Sequence, residues 1–275
     1  MNKKKFFLFL AVPIIIVSFL VFTFYKKDKQ ITLNAKGAVV IGMDHRKILY
    51  QKDMNDPFIP GSLTKLMSML LVFEEIEAGT LSYDDKIPVS ATATGTFASK
   101  AGLITGEQLC VNDLLKCVFL PSGSDAVIAL AEYLCGTEES FVQEMNNKVQ
   151  ELGLKNSHFT NSVGLEERDH YSSAYDMACI AMELTTKYPE VYNYTSLPLA
   201  LINHEDGAEL LLKNTNDMLG FDGVDGLKTG STPNGGYSLA MTYNKKKDHL
   251  LFIVMGSDSL YFRKQDCKKL LEIFS

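Results

Sequence analysis

Cysteine is scarce in this chain. Five residues, Cys110, Cys117, Cys135, Cys179 and Cys267, occur among 275, too few and too irregularly spaced for a disulfide scaffold. Cys117 and Cys135 fall inside helical patterns and read as small buried hydrophobes. There is no Cys-x-x-Cys, the five histidines are dispersed, and no His-Glu-x-x-His occurs, so neither a metal site nor a cofactor is expected. An excess of basic residues is lacking too. Lysine and arginine number 27 against 33 acidic residues, for a formal charge of −6, and phosphate binding needs a concentrated basic face, so nucleic acid is not an expected partner. Internal repeats and low-complexity segments are absent, which excludes solenoids and arrays.

What is present begins with an apolar run. From Phe6 to Tyr25 no charged residue occurs, behind Lys3, Lys4 and Lys5, a length of about 20 residues that suits a transmembrane helix. A secretory signal peptide is the rival. Against it, the run exceeds the usual signal core of about 7–15 residues and no small-residue cleavage site follows. An uncleaved anchor over about 6–25 is expected, with residues 1–30 as tip and anchor and 31–275 as the folded domain. Either alternative carries that domain across the membrane.

Within 31–275, alternation around Asp44–Lys47 predicts two strands. Apolar residues at helical spacing from Leu63 to Ile76 predict a helix closed by Gly79. Two further helical patterns flank Pro121–Ser122–Gly123, with Asn112 as a candidate cap for the first and Ser124 or Asp125 for the second. More helices are expected before Gly153, after Ser172 or Ser173, and over the last fifteen residues. The stretch from Gly223 to Ser257 reads as three antiparallel strands. The fold class is therefore α/β in the α+β sense: an antiparallel sheet built from both ends of the chain, flanked by helices, with a helical subdomain inserted over about 85–190.

The chemistry starts at "PGSLTKLM". Ser62 and Lys65 are three residues apart at a helix head, so the lysine amine can lie beside the serine hydroxyl. Unpaired N–H groups there can stabilise a developing oxyanion. A serine hydroxyl needs such a base, and the lysine must be neutral, through burial or a neighbouring cation. A lone Ser-x-x-Lys is expected about once by chance in a chain this long, and an N-cap beside a solvated lysine would look the same. Two later stretches add weight. "VDGLKTGST" puts Lys228, Thr229 and Gly230 on a strand edge suited to a carboxylate, where the glycine lets a substrate lie against the backbone. "PSGSDA" presents Ser122 and Ser124 in an exposed bend. Asp125 reads as a helix cap, His170–Tyr171 as loop packing, Asp176 as a helix-start partner, and Asn214 and Asn216 as supports for the Lys228 strand.

Ser-x-x-Lys, a Ser-x-(Asn) element and Lys-Thr-Gly, in that order, resemble the active-site set of penicillin-binding enzymes. With "HFTNSVGLEERDHYSSAYDMACIA" and "KNTNDMLG", the resemblance is to the serine D-alanyl-D-alanine carboxypeptidases, low-molecular-mass penicillin-binding proteins of bacteria, over about Ala38 to Phe274. It implies a β-lactamase/transpeptidase-like fold and removal of the terminal D-alanine from peptidoglycan stem peptides. Ser62 would be the nucleophile, Lys65 its base and Ser122 a proton relay. Lys228 and Thr229 would hold the terminal carboxylate, with Gly230 and Ser124 in the substrate site. Backbone N–H groups of Ser62 and Ser231 would form the oxyanion hole, and β-lactams would acylate Ser62. Ser124 stands where the family usually has Asn, and a hydroxyl is shorter and donates once.

Many relatives add a C-terminal β-domain and a membrane-docking helix; the chain ends soon after the matching region, so tethering is expected from the N-terminal span, at the cell membrane with the domain extracytoplasmic. Two alternatives stand beside this: a non-catalytic wall-peptide or β-lactam sensor on the same fold, and a serine β-lactamase. For the latter the Glu-x-x-Leu-Asn stretch that supplies a deacylating carboxylate is missing, "ELGLKN" placing Lys155 at the Asn position. An amine-accepting transpeptidase is a variant of the same chemistry.

Overall fold

The computed structural model describes residues 31–221, 223–245 and 248–275. The span expected over 6–25 lies outside the described residues. Among those described, no helix is long and apolar enough to cross a membrane. Residues 34–275 form one compact unit.

Two strands open it, β1 (Gly37–Gly42) and β2 (Lys47–Lys52), joined through a 3-10 turn at Met43–His45. A second 3-10 turn, Gly61–Thr64, leads straight into α1 (Lys65–Ala78). Then come β3 (Lys86–Pro88), the short α2 (Ala91–Gly95), β4 (Gln108–Cys110), α3 (Val111–Phe119), α4 (Ser124–Cys135) and α5 (Glu138–Glu151). The chain continues through α6 (Ala174–Lys187), the single turn α7 (Tyr192–Thr195), and the hairpin β5 (Leu199–Asn203) and β6 (Glu209–Lys213). It closes with β7 (Val224–Thr232), β8 (Gly236–Lys245), β9 (Asp248–Ser257) and α8 (Leu260–Phe274).

The main sheet has the order β2-β1-β9-β8-β7 with antiparallel neighbours. The first and last parts of the chain thus build one sheet, with the helices between them. The run Leu250–Met255 explains why. Its side chains alternate across the sheet: Leu251, Ile253 and Met255 join the main core, while Leu250, Phe252 and Val254 are buried on the other face. A strand buried on both faces reads as a continuous apolar run and belongs in the middle of a sheet. Helix α6 packs against β1 and β9, and α8 against β8 and β9.

Helix α1 is the core's central rod. Leu66, Met67, Met69, Leu70, Val72 and Phe73 are all buried, so it is apolar all round rather than amphipathic, as a helix enclosed by others must be. Gly79 closes it in the left-handed region at φ 76°, its N–H reaching the carbonyls of Glu75 and Ile76. Ser173 caps α6, accepting from the Asp176 N–H. The caps expected for α3 and α4 are not made: neither Asn112 nor Ser124 nor Asp125 caps its helix, and the N-cap positions are Cys110 and Gly123. Cys117 is buried, while Cys135, at the end of α4, is half-buried.

Candidate active site

Ser62 lies in the 3-10 turn and Lys65 is the first residue of α1. The tighter turn still leaves them on one side, with Lys65 Nζ 2.7 Å from Ser62 Oγ. The amine also donates to the Val163 carbonyl at 2.9 Å. Lys65 is fully buried. Burial first, and then the nearby Lys228 charge, push its pKa well below the usual lysine range, with Asp125 acting weakly in the opposite sense. The shift favours the neutral amine, the form in which a lysine can accept a proton.

Val163 is held in place by the segment around Asn161. The Asn161 Oδ1 accepts from the N–H groups of Val163, Gly164 and Leu165 at 3.3, 2.8 and 3.0 Å. Gly164 comes so close to the nucleophile turn that a Cβ there would stand 1.9 Å from the Gly61 carbonyl oxygen, at a φ of 90°, so only glycine fits. From the same segment, His170 Nδ1 accepts the Thr160 N–H at 3.1 Å, which leaves the proton on Nε2, 2.9 Å from Thr64 Oγ1. Burial, helped by His158, lowers its pKa to about 4. His170 is therefore a neutral strut behind the Ser62–Lys65 turn. Asp176 accepts from the Asn156 N–H and the Ser157 hydroxyl at the start of α6.

The opposite wall is β7, the edge strand of the sheet. Lys228 Nζ donates to Ser122 Oγ at 2.8 Å and to the Thr229 carbonyl at 3.2 Å. Its burial, reinforced by the Arg263 charge, lowers its pKa to about 7. Thr229 Oγ1 lies 2.7 Å from Thr215 Oγ1. Gly230 also makes a close approach that its sequence position does not suggest. A Cβ there would meet the Pro60 carbonyl at 2.7 Å and Leu63 at 3.2 Å, so the glycine lets β7 lie against the nucleophile turn itself. Ser231 N is 3.2 Å from where a Gly61 side chain would begin, beside Ser62.

The bend between α3 and α4 is not exposed, contrary to expectation: Ser122 is 5% exposed and Ser124 is fully buried. Ser122 holds a left-handed φ of 67°, a strained value for a residue with a side chain and one that clusters at functional sites. Its carbonyl accepts from Ser99 Oγ at 2.6 Å. Asp125 organises the neighbouring loop: its carboxylate takes the N–H groups of Ala101, Gly102 and Leu103 at 2.9–3.1 Å. Among the described residues, Ser124 Oγ has no hydrogen-bond partner. The hydrogen bonds of Lys65 Nζ go instead to Ser62 and Val163.

Ser62, Ser122, Thr229, Gly230 and Ser231 line a cleft of about 590 Å³, with Lys65 and Lys228 buried in its walls. Two of its residues escaped sequence reading. Arg263, from the first turn of α8, is buried, ion-pairs with Asp217 and lines the cleft near Thr229; in sequence it is one cation among several in "LYFRKQDCKK". Thr215 lay unnoticed between Asn214 and Asn216. Those two are supports: Asn214 Nδ2 donates to the Thr195 and Leu197 carbonyls, and Asn216 Nδ2 to the Gly226 carbonyl. Glu166 lines the other end of the cleft. Partial burial opposes its ionisation, but hydrogen bonds from Thr232, Asn234 and Gly235 outweigh it and hold the carboxyl below its usual range.

A serine beside a buried lysine, a second buried lysine bonded to another serine and an edge strand at the rim are the arrangement of a serine acyl-transfer enzyme of the penicillin-binding class, on the β-lactamase/transpeptidase-like fold. Residues 24–259 match the D-alanyl-D-alanine carboxypeptidase model, peptidase family S11. The chain is 37% identical over 268 residues to the D-alanyl-D-alanine carboxypeptidase DacF of Bacillus subtilis, covering 96% of this chain and 69% of that protein. Among solved structures it resembles D-alanyl-D-alanine carboxypeptidase DacD from Francisella tularensis, with a TM-score of 0.83 at 30% identity over 88% of this chain and 70% of that one. It resembles penicillin binding protein 5 from Haemophilus influenzae with a TM-score of 0.82 at 32% identity, over 88% and 71%. The chain belongs to the D-alanyl-D-alanine carboxypeptidase family.

Proposed function

We propose that this protein is a serine DD-carboxypeptidase that removes the terminal D-alanine of peptidoglycan stem peptides through an acyl-enzyme on Ser62. The observation that carries the assignment is the 2.7 Å approach of Lys65 Nζ to Ser62 Oγ with the lysine wholly buried. Lys65 takes the Ser62 proton as Oγ attacks the carbonyl between the two D-alanines. The N–H groups of Ser62 and Ser231 receive the oxyanion. Lys228, Thr229 and Arg263 bind the terminal carboxylate, with Thr215 steadying Thr229. As the C–N bond breaks, Ser122 hands a proton to the departing nitrogen and the proton that Lys65 took from Ser62 replaces it by way of the Ser122–Lys228 pair, which leaves Lys65 neutral and Lys228 charged. Water then adds to the ester with Lys65 again as base, and the acid leaves with Ser62 restored. A β-lactam offers the same carbonyl and carboxylate and acylates the same serine; one of the similar structures bears the name penicillin binding protein.

The apolar run from Phe6 to Tyr25 supports a companion proposal, that the catalytic unit works outside the bacterial cell membrane on an N-terminal anchor.

The test is release of D-alanine from a diacetylated lysyl-D-alanyl-D-alanine peptide by the purified full chain, with Ser62→Ala alongside. Wild-type release with loss in the variant of at least about 10³-fold is the expected result, since the nucleophile itself is gone. No release by the wild type would overturn the hydrolase and favour a sensor, for which the unpaired Ser124 hydroxyl would be a natural mark.

A further inference from the structure

The cleft is electrically polarised. Two of its lining residues are of charged type, Arg263 and Glu166: Arg263 pairs with Asp217, while Glu166 is bonded to the turn that follows Thr232 at the end of β7. Glu166 is fixed in place by the turn between β7 and β8: its carboxylate accepts the Asn234 N–H at 2.7 Å, Asn234 Nδ2 at 2.6 Å and the Gly235 N–H at 3.2 Å. All these donors are neutral, so they set the carboxylate's position without cancelling its charge. The loop that delivers Glu166 is itself fixed by Asn161 and by the tight approach of Gly164 to Gly61.

The direction of a bound peptide follows from the carboxypeptidase function, on which this inference rests. Its terminal carboxylate lies at the Lys228–Arg263 end, and its scissile carbonyl oxygen at the Ser62 and Ser231 N–H groups. The rest of the peptide must leave along β7 past Thr232. The residue preceding the two D-alanines is the next residue along from the one that carries the scissile carbonyl, about 3.3 Å further in an extended peptide, on the side of the turn between β7 and β8 that holds Glu166. Pro233 and the half-exposed Tyr237 line the way, apolar walls suited to a methylene stem with a charged tip.

We propose that Glu166 is a specificity-determining residue that selects peptides carrying a side-chain ammonium group on the residue preceding D-alanyl-D-alanine. The cleft thereby matches the substrate at both ends, a cation for the terminal carboxylate and an anion for the ammonium group.

The test compares two peptides with the purified full chain: Nα-acetyl-L-lysyl-D-alanyl-D-alanine with its ε-amine free, and the same peptide acetylated there. The readout is the ratio of kcat/KM for D-alanine release. Wild type is expected to prefer the free amine by about five-fold, the scale of a partly exposed ion pair. Glu166→Gln brings the ratio to about one. Asn234→Ala removes the 2.6 Å side-chain bond but keeps the charge, and retains most of the preference. Both rates come from one preparation, so partial misfolding cancels from the ratio. Equal cleavage of the two peptides by the wild type overturns the inference. So does a ratio unmoved by Glu166→Gln, or one lost as completely in Asn234→Ala, which would make loop geometry rather than charge the cause. Failure to release D-alanine from either peptide is a different result, and overturns the carboxypeptidase function itself.

Discussion

Two buried lysines within one cleft impose opposite requirements on pH. Lys65 must be neutral to accept the serine proton, and Lys228 must be charged to hold a carboxylate. Both pKa values lie below the ordinary lysine range, the latter at about 7. Raising the pH through the Lys65 titration increases the reactive fraction; raising it through the Lys228 titration removes the carboxylate's partner. The free-enzyme profile of kcat/KM is therefore expected to be bell-shaped, with the alkaline limb belonging chiefly to Lys228. Because the two charges interact, the limbs report the pair rather than isolated residues. Arginine stays charged throughout, so Lys228→Arg, whatever its absolute rate, should move the alkaline limb up by more than about one pH unit. A limb that stays in place would assign it to another group. The approach of Lys65 to Ser62 and the placing of Lys228, Thr229 and Gly230 on a strand were legible in sequence because they depend on local spacing. Arg263 was not, because nothing in its own helix distinguishes it from Lys264; only the packing of α8 against β8 and β9 brings it to the cleft.

At the scale of elements, the wall holding Ser122 depends on one carboxylate. Asp125 reads locally as the cap of its own helix, and its side chain instead satisfies three N–H groups of the loop at Ala101–Leu103. A sequence cannot reveal this, since the acceptor and its donors are more than twenty residues apart. Asp125→Ala leaves those donors unpaired in half-buried surroundings. A loss of about 2–4 kcal/mol in urea unfolding is expected, with slower β-lactam acylation as Ser99 loosens its hold on the Ser122 carbonyl. Stability within about 0.5 kcal/mol of wild type, the range of an ordinary surface change, would show that the loop is held by other means. Ser122 and Ser124 were likewise expected in an open bend, a natural inference from Pro, Ser and Gly in succession. The loop at 96–103 covers them, through the Ser99 hydroxyl on the Ser122 carbonyl and the Ser124 N–H on the Ser99 carbonyl.

At the scale of the whole molecule, a sheet assembled from both ends makes distant segments cooperate. Asp266 in α8 accepts the N–H groups of Asn34 and Ala35 at 3.1 and 2.7 Å, tying the start of the compact unit to its last helix. Asp266→Ala should lower the denaturation midpoint by an amount equivalent to about 2–3 kcal/mol while the transition stays single and its slope unchanged. A separate early transition would show that β1 and β2 unfold apart from the rest. Closing a sheet over such sequence separations also predicts folding slower than that of a helical domain of equal size.

By itself the sequence determined what local periodicity and short spacing can encode: the apolar rod of α1, the three closing strands, the Ser62–Lys65 pair and the Lys228–Thr229–Gly230 run. The tertiary structure decided everything that depends on desolvation or on contact between distant segments. It set the pKa of both lysines through burial, made Gly230 a contact between β7 and the nucleophile turn, turned Asp125 from a cap into a loop anchor, and set Glu166 and Arg263 at opposite ends of one cleft. Burial and proximity are properties of the folded packing, and no single stretch of the chain carries them.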